Sequence, residues 1–188
     1  SRAVRLVTVI GDAGVGKSRL VHETIVRTGD NTRVLRGRCL PYGDGITFWP
    51  LVEIVGATAG INADDTPEEA TARVLALTGD ADVTARLASA VGLSAAAFPM
   101  HETYWAARRF LEGLAHQQPV VALIDDIHWA EPAFLELLER HHQFHRAIAI
   151  IRHEQRGISR AEHRDHGRRG QPAVDGDDVL QRLDVAVE

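Results

Sequence analysis

The sequence predicts an α/β fold, a parallel sheet with flanking helices, and three observations carry that expectation. Residues 4–10 (VRLVTVI) and 120–124 (VVALI) are short apolar runs rich in β-branched residues, as strands buried on both faces should be. The first run leads directly into a glycine-rich loop and then a helical pattern, and the second closes in two adjacent acids. Strands and helical segments alternate along the chain, which favours parallel pairing in a layered fold.

Composition sets the outer limits. The chain has 188 residues, 45% hydrophobic and 25% charged, with a formal charge of −5, which suits one soluble globular domain with a real core. No apolar run approaches the roughly 18 residues needed to span a bilayer. No secretory apolar segment opens the chain, so a cytoplasmic location without membrane contact is expected. The single cysteine, Cys39, excludes an internal disulfide framework and a cysteine-only zinc site. Mild acidity, with no basic stripe or helix-turn-helix pattern, argues against direct nucleic-acid binding.

The first strand, at 4–10, runs into Gly11-Asp12-Ala13-Gly14-Val15-Gly16-Lys17-Ser18, a full match to G-x-x-x-x-G-K-[ST]. Of 21 Lys and Arg residues, Lys17 is the one lysine. Glycines let backbone N–H groups wrap closely around phosphates at a helix N-terminus. A lysine ammonium is a compact charge on a thin stem that can reach the β- and γ-phosphates, whereas a guanidinium is broad and forked. The Ser18 hydroxyl supplies a ligand for Mg2+. Arg19 continues the loop into a helix at 17–28, where Leu20, Val21, Thr24 and Ile25 recur at helical spacing.

A second strand is predicted at 32–38, followed by a long Gly/Pro loop through Pro50. Arg36 and Arg38, at the end of that strand, read as solvated or ion-paired. Helices are expected at about 50–58, 67–78, 80–91 and 102–116. They form an alanine-rich amphipathic insert with Val74, Leu75, Leu77, Val83, Leu87 and Val91 as core candidates. The strand at 119–125 ends in Asp125-Asp126, as a central strand of a nucleotide-binding α/β sheet does at its carboxyl end. Asp125 would hold Mg2+ through water, and Asp126 would orient or deprotonate the attacking water. A helix at 132–142 closes this part.

After Arg140 the character changes. Six of the ten histidines (141, 142, 145, 153, 163 and 166) fall here, and residues 160–172 have a polar, glycine-punctuated composition. The pairs His141/His145 and His163/His166 have helix-face metal spacing, but neither a cysteine nor a carboxylate completes a site. The expectation is a solvated polar stretch.

The block Asp125-Asp126-Ile127-His128-Trp129-Ala130-Glu131-Pro132 resembles the D-D-x-H-W-A-[DE]-P motif of STAND-type AAA ATPase modules in bacterial signalling regulators. The phosphate loop through Leu20, Arg36-Gly37-Arg38-Cys39, residues 42–51 (YGDGITFWPL) and the helix around Trp105 are also similar to that family. The resemblance spans about residues 4 to 140. It implies a phosphate-loop NTPase fold, incomplete on its C-terminal side, that binds ATP with Mg2+ and hydrolyses it slowly. It also implies that the nucleotide state passes to an output domain, either an adenylate/guanylate cyclase or a LuxR-type helix-turn-helix.

On this reading residues 1–140 are a partial ATPase core with a helical insert at about 50–116. Residues 141–188 are a divergent tail, disordered or out of frame. Within it, residues 147–151 match a fourth strand, with Arg152 as the sensor arginine. Related modules also carry a segment before the first strand that helps enclose adenine, and it is not recognisable here. His128 and Trp129 would lie at the edge of the nucleotide site, with Trp129 packing the loop on the next helix.

The function expected is therefore a nucleotide switch, with ATP and Mg2+ as cofactors and Lys17 and Asp126 as catalytic groups. The alternative is a truncated remnant that binds nucleotide without catalysis. A small-molecule kinase is disfavoured by the helical insert and the D-D-x-H-W block.

Overall fold

The computed structural model describes residues 5–12, 14–41, 47–141 and 147–155. Among them the strands are β1 (Arg5–Asp12), β2 (Arg33–Arg38), β3 (Val120–Asp125) and β4 (Ala147–Gln155). The helices are α1 (Lys17–Arg27), α2 (Trp49–Ala59), α3 (Pro67–Thr78), α4 (Ala81–Ala90), α5 (Met100–Gln117) and α6 (Pro132–His141). A 3-10 turn at Ile127–Trp129 follows β3. The expected α/β fold with a parallel sheet and flanking helices is what forms.

The four strands are all parallel, in the order β1-β4-β3-β2. Residues 147–155 thus lie in the interior of the sheet, within the segment read from sequence as a divergent tail. Residues 156–188, including the 160–172 stretch, lie outside the described residues. The strand matched at 147–151 runs on to Gln155 because its ladder with β1 continues, pairing Gly11 with Glu154 and Asp12 with Gln155. The same ladder explains why β1 extends two residues past the expected end at Ile10. The first two residues of the phosphate motif are strand.

Local chemistry sets the helix ends. Thr66 and Glu69 form a reciprocal capping box at the start of α3, with Pro67 in its first turn. Asp80 accepts from the N–H groups of Asp82 and Val83 to start α4. Helices α2 and α3 each stop at a glycine in the left-handed region, Gly60 (φ 67°) and Gly79 (φ 64°). The long loop is shorter than expected, because α2 begins at Trp49 with Pro50 inside its first turn, where proline loses no hydrogen bond.

The larger core lies between one sheet face and helices α2 to α6, with Val55, Val74, Leu87, Leu114, Ile124 and Ile127 fully buried. Each such side chain contributes about 1.5–3 kcal/mol of transfer free energy. Val74, Val83 and Leu87 are buried as the periodicity predicts, and Leu77 and Val91 pack at the core margin. Leu75 is the exception, 43% exposed, because it sits one helical position round from Val74 and points away from the core. Helix α1 covers the opposite face through a small cluster of Val21, Val121 and Leu123, joined by Val9 and Ile25.

Arg86 ties α4 to α5. Its Nε meets Glu102 Oε2 at 2.7 Å and its Nη1 meets Asp82 Oδ1 at 3.2 Å, while its guanidinium lies 4.9 Å from the Phe98 ring and 5.6 Å from that of Trp105. No described helix is long and apolar enough to cross a membrane.

Candidate functional site

The C-terminal ends of the parallel strands gather the residues singled out by sequence. At the end of β1, Gly14 (φ 78°) and Gly16 (φ 98°) adopt left-handed conformations that a side chain would strain, and they turn the chain sharply into α1. Lys17 follows at the start of α1, and its Nζ donates to the Gly11 carbonyl at 2.6 Å. Gly11 is tightly placed as well, since a Cβ there would meet Val15 Cγ1 at 3.0 Å. Val15 and Arg19 are exposed, Ala13 lies outside the described residues, and of Asp12 the backbone strand alone is described.

Ser18 and Asp125 line one small cleft of about 80 Å3, together with Val21, His22, Ile25, Arg36 and Leu123. The structure therefore brings the loop hydroxyl and the strand-end carboxylate to one place, although β4 separates their strands. Both are hard oxygen donors of the kind Mg2+ prefers. Among the described residues no group of three or more His, Cys, Asp or Glu could hold an ion. A cation held here would take a few protein oxygens and complete its shell with phosphate and water, the usual habit of Mg2+.

Asp125 is fixed through its backbone, whose carbonyl accepts from Cys39 N–H at 2.9 Å, and Arg38 stands opposite it in the β2–β3 register. Asp126 leaves the strand with φ 57° and ψ 40°, the one positive φ at a non-glycine position among the described residues. Aspartate tolerates this region better than most residues, yet the conformation still costs about 1 kcal/mol or more. The strain turns the chain from β3 into the 3-10 turn, which is anchored by fully buried Ile127. Trp129 packs at the margin of the larger core, and its ring centroid lies 5.0 Å from that of His128, tilted by 45°.

The other motif blocks brace this corner. Gly37 has no room for a side chain, because a Cβ would meet the Pro50 carbonyl oxygen at 2.7 Å and its Cα at 2.8 Å. Arg38 N–H donates to Glu53 Oε2 at 2.7 Å, tying β2 to α2. The Thr47 hydroxyl donates to Glu131 Oε2, joining the segment before α2 to the end of the acidic block. Cys39 lies buried beneath this corner; burial, then the charges of Asp126, Glu53 and Asp125, push its thiol up to about 12. It remains a neutral packing group at ordinary pH.

Arg36 is exposed, as the solvated reading expects, and what sequence reasoning missed is the cleft that it lines. Strand alternation puts Leu35 and Gly37 on the buried side, so Arg36 projects toward α1 and into the cleft of Ser18 and Asp125. The alternation was visible in the sequence, but the position of α1 over that face was not. Residues 42–46 and the His163/His166 pair lie outside the described residues, as do the side chains of His141 and Arg152; Arg152 stands opposite Val9 in the β1–β4 register.

The chain belongs to the AAA ATPase domain family, which matches residues 1–147. It is 30% identical over 148 residues to an uncharacterized protein of Rhizobium meliloti (strain 1021). That match takes in 71% of this chain but 14% of the relative, so the chain spans a small part of that protein's length. No solved structure matches the chain significantly. Membership in this family marks the chain as a nucleotide-binding module.

Proposed function

We propose that the chain is a STAND-type nucleotide switch, binding ATP with Mg2+ and hydrolysing it slowly within a larger bacterial regulator. The observation that carries this reading is the convergence of Ser18 and Asp125 on one cleft beside the Lys17 loop. Backbone N–H groups of residues 14–18 and the N-terminus of α1 offer an anion seat, and Lys17 adds a charge that reaches the outer phosphates. Ser18 and Asp125 would hold Mg2+, which when bound neutralises charge on the phosphates.

In hydrolysis the oxygen of a water forms a bond to the γ-phosphorus as the bond to the β-phosphate bridging oxygen breaks. Asp126 orients that water and takes its proton, while Lys17 stabilises charge on the leaving diphosphate. The output domain, a cyclase or a LuxR-type helix-turn-helix, is carried by the motif resemblance. Arg152 on β4 would serve as the sensor arginine.

Single-turnover phosphate release measured beside a Mg-ATP titration tests the reading. The expected result is saturable binding with slow release that Asp126→Asn abolishes. Binding with no release, unchanged by that substitution, would establish a switch that works by binding alone. No binding would sink the assignment altogether.

A further inference from the structure

The cleft that holds Ser18 and Asp125 contains a cation with no role in the scheme above. Arg36 enters it from β2, level with Leu123 in the ladder and two residues deeper than Asp125. Its position is fixed from behind. Leu35 is buried in the larger core, and Gly37 presses against the Pro50 backbone, so β2 can neither slip by one residue nor lift away. Arg36 is exposed at the cleft's rim, and its neighbours there are apolar Val21, Ile25 and Leu123 and polar Ser18, His22 and Asp125. Among the described residues Arg36 makes no salt bridge.

A guanidinium beside two hard oxygen donors and an apolar wall is poorly matched to a bare divalent cation, which it would repel. It is well matched to an anion arriving with that cation. Charge decides which anion. A nucleoside diphosphate brings about three negative charges to a site that already gathers Lys17 and a divalent cation, whereas a triphosphate brings about four. The extra charge of the terminal phosphate is what a further cation at this depth would offset, and a guanidinium can meet phosphate oxygens in a fork.

We propose that Arg36 is a selectivity residue that contacts the terminal phosphate and makes the chain prefer a nucleoside triphosphate over the diphosphate. This rests on the proposed nucleotide site and adds to it a discriminating group on β2, distinct from Arg152 on β4. The preference is set before any chemistry, by binding alone, so it survives in an Asp126→Asn chain that does not turn over.

Titration of the full chain with Mg-ATP and Mg-ADP tests this, in the Asp126→Asn background and with thermal unfolding as a folding control. Arg36→Ala should weaken Mg-ATP binding at least tenfold and change Mg-ADP binding less than threefold. Arg36→Lys should retain part of the preference. Should the alanine chain fail to unfold cooperatively, Arg36→Gln is the variant whose ATP-to-ADP ratio decides. Equal losses for both nucleotides, or no change in either, would overturn the role of Arg36 and leave the nucleotide site standing. A wild-type chain that binds neither nucleotide would overturn both.

Discussion

The ammonium of Lys17 donates to the carbonyl of Gly11 at 2.6 Å, so the phosphate loop is closed on itself by its own lysine. An ammonium has three donors, and one of them, bonded to the loop backbone, holds the stem in place. The bond orients the charge, and the length and thinness of the stem allow it. Lys17→Ala should lower Mg-ATP affinity by about two orders of magnitude or more, on the scale of losing a charge-assisted contact pair. Lys17→Arg should fail nearly as badly, because a forked guanidinium cannot repeat the geometry. Isothermal titration of the three chains is the measurement, and retained affinity in the alanine chain would remove the loop from the site.

Asp126 predicts a separation of stability from activity. Its left-handed backbone (φ 57°) is strained for an aspartate and relaxed for a glycine. Asp126→Gly should therefore leave stability unchanged or raise it by up to about 1 kcal/mol, and should abolish phosphate release. Asp126→Ala should lose both. A denaturant titration paired with a single-turnover assay reads the two effects, and a glycine chain that is markedly less stable would contradict the strain assignment.

Gly37 is a packing requirement. A methyl group there would overlap the Pro50 backbone, which cannot swing aside as a flexible side chain would. Gly37→Ala should cost about 1–3 kcal/mol by overpacking. Because β2 must then shift away from α2, Arg36 should move with it. The same substitution should thus reduce the ATP-to-ADP preference before the chain unfolds, which titration near 10 °C can resolve.

Cys39 gives a pH dependence with a fixed sign. Its folded value, about 12, lies above the ordinary thiol value of 9.0, so the folded state keeps a proton that the unfolded chain releases. Stability contributed by this group is fully present below pH 9 and is lost as pH rises from 9 toward 12. Cys39→Ala should flatten that part of the stability curve relative to the wild type. Thiol reagents at pH 8 should label Cys39 at the rate of unfolding, and rapid labelling of the native chain would overturn its burial.

The phosphate loop and the acidic strand end were legible because each follows an apolar run whose length and composition define a strand. The four insert helices were legible from their alanine-rich amphipathic pattern, and two of them, α3 and α4, begin at capping side chains, Thr66 with Glu69 and Asp80. Leu75 misled because an apolar residue next to Val74 looks like core until the helix is given a direction. Arg36 is exposed as it was read, but sequence alone does not say which helix lies over a strand's outer face and so could not place it beside Ser18 and Asp125. Nor does an Asp-Asp pair announce that its second member sits in a left-handed conformation.

The interior place of β4 bears on the order in which this chain can assemble. Arg5 pairs with Ile148, so the ladder that seats β1 joins residues from opposite ends of the described chain. The loop at 11–18 and the acids at 125–126 emerge from the ribosome long before that ladder can close. Until residues 147–155 thread between their strands, the packing of Val21 on Val121 and Leu123, not strand pairing, is what joins the loop's side to the strand of the acids. On the proposed reading, the nucleotide site is therefore completed by a late strand, after the residues of the helical layer have already been made.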